Sequence, residues 1–183
     1  MHNPSVTSNS SWPRTLEILR QENAVLSRVI VSGAPLVDRP PFKEAIRRLE
    51  RYRVNTEMAK RILDQGMCLS VEFTNTAGAE LLGEYDAGDW AQLSGLVELI
   101  SQGYAGQIVL GTDCCGKTML RRGGGEGYCR LFYYTLPMLC DAAGISDYAI
   151  RQMLYANPMR LLVGRGALDA PHAVRPAWAA AWR

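Results

Sequence analysis

The chain has 183 residues, 48% hydrophobic and 21% charged, which is enough for one well-packed domain and is the composition of an ordinary globular protein. Twenty Lys and Arg against 18 Asp and Glu leave a net charge of +2, too little for the concentrated positive field that nucleic-acid binding requires. No apolar run approaches the ~20 residues that span a bilayer, and the first residues carry neither a basic nor an apolar signal region, so the chain is expected in the cytoplasm with no membrane or nucleic-acid partner.

After a polar, turn-rich opening, the spacing of Leu16, Ile18 and Leu19 predicts an amphipathic helix over Arg14 to Asn23. The β-branched run Arg28-Val-Ile-Val-Ser-Gly33 reads as a buried strand with a loop at its C-terminal end. Beyond the prolines at 35, 40 and 41, Phe42, Ala45, Ile46 and Leu49 recur at helical spacing. Arg47, Arg48, Arg51 and Arg53 are interrupted by Glu50 and read as its solvated face. Another helix is expected from about Thr56 to Asp64, stopped by Gly66.

Cys68-Leu-Ser-Val-Glu-Phe73 is the second expected strand, followed by a long acidic loop containing Gly78, Gly83 and Gly88. Trp90, Leu93, Leu96, Val97 and Ile100 mark a helix closed by Gly103. Gln107-Ile-Val-Leu-Gly-Thr-Asp113 is the third strand, feeding a Gly-rich loop and then a long helix from about Tyr128 to Ala142. Ser146 with Asp147 caps a last helix, and Asn157-Pro158 begins a final turn through Leu162. Residues 1–163 read as one domain and 164–183, rich in Ala, Pro and Arg, as a loosely held tail.

Strands alternating with helices imply an α/β fold with a parallel sheet, in which chemistry gathers at the C-terminal strand ends. Three places qualify: Ser32-Gly33, Glu72-Phe73-Thr74 and Thr112-Asp113. The five cysteines contain no C-x-x-C pair and read as free thiols. Gly111-Thr-Asp-Cys-Cys-Gly-Lys-Thr118 fits the P-loop pattern G-x-x-x-x-G-K-[ST] and follows a strand. A phosphate cradle, however, needs a long helix straight after the Lys, and Gly123-Gly124-Gly125 falls too soon; Asp113 would also face the phosphates with like charge. The other reading makes Asp113 a metal-ligating, proton-accepting carboxylate at the strand mouth, with a loop-capping Asp as its plain alternative.

The run from Gln107 to Tyr128 resembles the last barrel strand and following loop of the phosphotriesterase family, which reads there as an apolar strand, His-Asp, a Thr-Lys-Thr-like turn and Gly-Gly-His-Gly-Tyr. The likeness continues through Leu136-Pro-Met-Leu139, Gly144-Ile-Ser146 and Asn157-Pro-Met-Arg-Leu-Leu162. Upstream it takes in Leu16-Glu-Ile-Leu-Arg20, Leu26-Ser-Arg-Val-Ile-Val31 and Gly66-Met-Cys-Leu-Ser-Val-Glu-Phe73, so that it covers about residues 2 to 163. The resemblance implies the C-terminal half of a TIM (β/α)₈ barrel, from the end of the fifth strand to the eighth, because a whole barrel needs roughly 250 residues.

It also implies a divalent-metal hydrolase of phosphotriester, ester, lactone or amide bonds, using Zn²⁺ with Mn²⁺ or Co²⁺ as substitutes, and a small-molecule ester or amide substrate. Asp113 takes the place of the eighth-strand ligand and His2 that of the fifth-strand His; both are the expected metal ligands, and Asp113 the catalytic group. Three departures stand out. Gly33 occupies the sixth-strand His position, Glu126 replaces the His of the Gly-Gly-x-Gly-Tyr loop, and strands one to four have no counterpart. With His2 and His172 the only histidines, at most two family-type ligands can be placed, whereas catalytic Zn²⁺ takes three. His172 falls in the tail and reads as idle. Lys117, Arg121 and Arg122 read either as solvated cations or as contacts for an anionic substrate. A half barrel leaves open strand edges, so the chain is expected to be a truncated product, a homodimer or one piece of a split enzyme joined by a complementary N-terminal half; a non-catalytic remnant or subunit is the alternative.

Overall fold

A computed structural model describes residues 12–32, 34, 36–38, 53–73, 88–114 and 116–163. The helix expected at 42–49, the acidic loop at 74–87, Cys115 and the tail at 164–183 lie outside the described residues, as do His2, Gly33 and His172. The fold is a helix-rich α/β arrangement. Strands β1 (Ile30–Ser32), β4 (Cys68–Glu72) and β5 (Ile108–Gly111) form a parallel sheet in the order β1-β4-β5, and β2 (Val37–Asp38) pairs antiparallel with β3 (Arg53–Val54). The helices α1 (Trp12–Gln21), α2 (Glu57–Leu63) and α3 (Gly88–Ser101) precede a C-terminal helical region containing α4 (Asp147–Arg151) and α5 (Asn157–Val163).

The first helix buries less than its pattern suggested. Leu16 and Leu19 pack with Val31, Ile62 and Met67, but Ile18 is exposed. At 100° per residue, positions 16 and 19 share a face, while 18 lies 200° from 16 on the solvent side. Helices α2 and α3 behave as read: Ala59 and Leu63 meet Leu93, Leu96 and Leu99 around Leu69, Val71 and Phe73 in the main core. Gly66 and Gly103 end their helices with φ of +81° and +91°, values that glycine adopts without the β-carbon penalty. The β2–β3 pair had no counterpart in the sequence reading, because its strands are two residues long and separated by residues 39–52. Leu36, beside it, is pressed against α3 so closely that a β-carbon on Gly95 would sit 2.6 Å from the Leu36 Cβ.

The expected long helix from Tyr128 to Ala142 is present but irregular, opened by a 3₁₀ turn (Gly127–Cys129) and widened by π turns at Leu131–Thr135 and Met138–Ala142. Asn157-Pro158, however, does not begin a separate turn: helix runs unbroken through residues 147–163, with a π turn at Gln152–Ala156 between α4 and α5. In both places a proline follows the π turn at the second residue, Pro137 and Pro158. Proline brings no N–H and crowds the carbonyl four residues back, and widening the preceding turn relieves that crowding while the helix continues. Ser146 caps α4 as expected, its Oγ accepting from the Ala149 N–H at 3.3 Å.

Polar side chains tie the N-terminal ends of the strands together. Asn157 Nδ2 donates to the carbonyls of Ala105 and Ile108 at 2.8 and 2.7 Å, and Arg160 Nη2 donates to Gly106 O at 2.6 Å. Gln107 Nε2 reaches Leu63 O and Met67 O at 2.7 and 2.9 Å.

A second polar group bridges α2 and α3. Thr56 Oγ1 donates to Glu98 Oε1 at 2.6 Å, and Lys60 Nζ stands 3.1 Å from the same oxygen. The Thr56 hydrogen bond, then Lys60, hold the Glu98 carboxyl below its ordinary value of 4.5. A lowered carboxyl contributes stability that is present above the unfolded value and lost as pH falls through the folded one. Urea midpoints measured from neutral pH downward should therefore drop below pH 4.5, and Thr56→Val should flatten that drop by removing the main cause of the shift. An acid limb identical in the variant would show that the hydroxyl is not what holds the carboxylate.

Candidate functional site

The parallel register aligns Ser32 with Ser70 and Glu72 with Gly111, so the C-terminal ends of all three strands open on the same side of the sheet. Burial alternates along these strands. Val31, Leu69, Val71, Ile108 and Leu110 are buried on the helix-covered face, while Ile30, Ser32, Ser70, Glu72, Val109 and Gly111 are half-buried on the other. Parallel sheets covered by helices on both faces read as continuous apolar runs; this one, among the described residues, is covered on one face and carries serines and a carboxylate on the other.

Two features define the site's limits. At the N-terminal end of the half-open face Cys68 is buried, its Sγ 3.6 Å from Arg160 Nη2, and burial pushes its thiol up from the ordinary 9.0. It is thus a closed floor rather than a nucleophile, since a thiol held protonated is unreactive. At the C-terminal end Ser70 Oγ donates to Glu72 Oε1 at 3.2 Å, and the stem of Glu72 lies over Gly111, whose absent β-carbon would be 3.5 Å from Glu72 Cγ. A β-carbon at 111 would be in ordinary contact with that stem. The sequence placed Glu72 at a strand end; its neighbour across the sheet became visible only with the register.

The third strand stops earlier than read, at Gly111, leaving Thr112 and Asp113 in irregular backbone. Asp113 is exposed with φ of +38°, a left-handed conformation that Asp tolerates better than most residues but that still carries strain. It follows β5 directly, at the sheet end where Glu72 lies. His2, the other expected ligand, lies outside the described residues. Among the described residues no group of three or more His, Cys, Asp and Glu gathers that could hold a metal ion. The four described cysteines, Cys68, Cys114, Cys129 and Cys140, are free thiols.

The near P-loop is not a strand–loop–helix unit. After Gly116 comes a 3₁₀ turn of three residues, Lys117–Met119, then extended Leu120 and a second short turn, Arg121–Gly123, so no helix N-terminus faces a phosphate there. The glycines have a steric purpose: a β-carbon on Gly123 would collide with the carbonyl of Lys117, and one on Gly125 with that of Met119. The Gly-rich segment is folded back onto the first turn and closed by bonds from Gly123 N and Gly125 N to Leu120 O. Glu126, in the place of the expected His, is paired with Arg130, whose guanidinium also lies 4.6 Å from the Tyr134 ring centre.

An α/β fold with a parallel sheet, a half-open polar face and a carboxylate just past a strand end belongs to the class that carries ligands at strand C-termini. The solved structures it is similar to are of that class. A phosphotriesterase homology protein from Escherichia coli, complexed with phosphate in its active site, aligns with 87% of this chain and 46% of its own at 21% identity and a TM-score of 0.64. A lactonase from Listeria monocytogenes aligns with 90% of this chain and 44% of its own at 21% identity and TM-score 0.63, and an organophosphorus hydrolase from Deinococcus radiodurans with 82% and 42% at 19% identity and TM-score 0.58. The chain spans less than half the length of these proteins, and at such identities the likeness is one of fold. No family model and no curated protein matches the sequence. None of the described helices is long and apolar enough to cross a membrane.

Proposed function

We propose that the chain is the C-terminal half of a phosphotriesterase-like (β/α)₈ barrel, acting in the cytoplasm on a small ester, phosphoester, lactone or amide. The observation that carries the reading is Asp113, a carboxylate on strained backbone immediately beyond the last strand of a parallel sheet that aligns with enzymes of this kind over most of its length. On this reading the half-open face with Ser32, Ser70 and Glu72 is the barrel interior. β1 and β5 are the edges at which the first four strands, from a complementary half or a second copy, complete the cylinder. Asp113 accepts the proton of the attacking water, and Glu72, held by Ser70 over Gly111, sets the charge of the site wall.

The donors at hand do not fit a zinc centre. Asp113 and Glu72 are two carboxylates, no three-donor group gathers among the described residues, and a catalytic zinc takes three protein ligands. No step is therefore assigned to a metal. Zinc, with manganese or cobalt as substitutes, enters the proposal only as a cation completed by donors beyond the described residues, His2 and the complementary half among them. The same shortage of donors favours the second reading, a non-catalytic half-barrel subunit.

The two are separated by elemental analysis of chelator-free protein, light scattering, and hydrolysis assays on an uncharged aryl ester, a lactone and a phosphotriester. About two metals per assembled site with turnover of any of the three is the result expected of the hydrolase; a metal-free, inactive oligomer leaves the subunit. Saturable ATP binding lost in Lys117→Ala would instead restore the nucleotide reading.

A further inference from the structure

The loop that follows Asp113 carries more positive charge than its surroundings answer. Lys117, Arg121 and Arg122 fall within six residues, are all exposed, and have no ion-pair partner among the described residues. The acid nearest to them in the sequence beyond Asp113, Glu126, is already engaged by Arg130.

Exposed cations on a mobile loop would be unremarkable, but this loop is sterically locked. Gly123 and Gly125 lie against the carbonyls of Lys117 and Met119 with no room for a β-carbon. Gly116 N–H is directed at Met119 Sδ at 3.4 Å, and the Arg121 stem lies on buried Gly127, 3.3 Å from where a β-carbon would stand. The backbone of the three cations is thus organised in advance, which lowers the ordering cost of gripping a ligand. Their position also suits a ligand at the strand ends: three residues of chain separate Lys117 from Asp113, so their Cα atoms are at most about 14 Å apart.

We infer that residues 116–127 form an anion clamp selecting substrates that carry an oxyanion, a carboxylate or a phosphate, on the part of the molecule away from the scissile bond. The inference rests on the hydrolase reading for the word substrate, and deepens it by naming the charge. Arg121 and Arg122 supply planar forks matched to two oxygens, and Lys117 a point charge. An anion so held offsets the mutual repulsion of adjacent arginines, which an uncharged ester cannot do.

The test compares the full chain with an Arg121→Gln/Arg122→Gln double variant and with Lys117→Gln. The probes are inorganic phosphate, by titration calorimetry at two salt concentrations, and two aryl esters of equal acyl length, 4-nitrophenyl hexanoate and the singly charged 4-nitrophenyl adipate, whose carboxylate is too remote to attack its own ester carbonyl. Thermal unfolding of the exposed-residue variants checks that the fold is intact. Phosphate binding should weaken with salt and fall about tenfold in the double variant, and the ratio of kcat/KM for the adipate over the hexanoate should fall about tenfold with it. Phosphate binding equal in the wild type and both variants, or a wild-type ratio near one that the substitutions do not move, overturns the clamp. Hydrolysis of neither ester beside charge-dependent phosphate binding overturns the hydrolase and supports the clamp; hydrolysis of both without discrimination does the reverse.

Discussion

Replacing Asn157 by Ala is expected to lower the unfolding free energy by about 2 kcal/mol, since a buried acceptor that loses its donor costs about 1–3 kcal/mol, and while Ala105 O keeps the Ile108 N–H, the buried Ile108 O loses its side-chain donor. The side chain is 3% exposed and its Nδ2 joins helix α5 to the carbonyls of Ala105 and Ile108, at the N-terminal end of β5. Arg160 makes a parallel tie one helical turn on, to Gly106 O, so α5 holds the whole lead into β5. Asn157→Asp is the sharper variant. A carboxylate there presents only acceptors to two carbonyl oxygens, so it should be worse than Ala at neutral pH and recover partly as acid returns a proton and with it one donor. Urea unfolding of the three proteins measures this. An Ala variant within about 0.5 kcal/mol of wild type, the range of an ordinary surface change, would mean that the carbonyls find other partners.

Asp113→Gly is expected to separate function from stability. If Asp113 takes the proton in the reaction, any hydrolysis should fall by about 100-fold or more. Stability should hold or rise slightly: a left-handed non-glycine residue carries about 1–2 kcal/mol of strain, against which glycine adds about 0.5–1 kcal/mol of chain entropy to the unfolded state. Asp113 sits at φ of +38° and is exposed, so little packing is lost. Asp113→Ala, which keeps a β-carbon on the same backbone, should lose as much activity while being less stable than the Gly variant by about 1 kcal/mol. Turnover by the Gly variant close to wild type, or a stability loss in step with the activity loss, would make Asp113 a loop-holding residue instead.

The three strands of the parallel sheet were legible because each is an unbroken apolar or β-branched run between turn signals, and β4 matched to within one residue. α2 and α3 were legible from their 3.6-residue spacing and from Gly66 and Gly103, whose positive φ values stop them. The irregular turns of the later helices were not. Pro137 and Pro158 announce a disturbance, but whether a helix ends there or widens into a π turn depends on what packs around it, here Leu131, Leu136, Leu139 and Met153 in the main core.

The candidate site divides the same way. Its carboxylates, Asp113 and Glu72, and the cations of the loop were visible as residues at strand ends. Which of them are neighbours was not, since Glu72 reaches Gly111 through a register between strands that lie 35 residues apart at their nearest ends.

What the sequence by itself determined is the local grammar: helix and strand order, the glycine stops, the Ser146 cap, the strand-end placement of Asp113, and the resemblance that the similar folds then met. All of these follow from the preferences of a few adjacent residues. Only the tertiary structure decided that one face of the sheet is left half-open and polar, that Asn157 ties α5 to β5, that Gly95 admits Leu36, and that the Gly-rich loop is locked with its cations outward. Those facts depend on contacts between residues far apart in the chain, whose burial no single segment can specify.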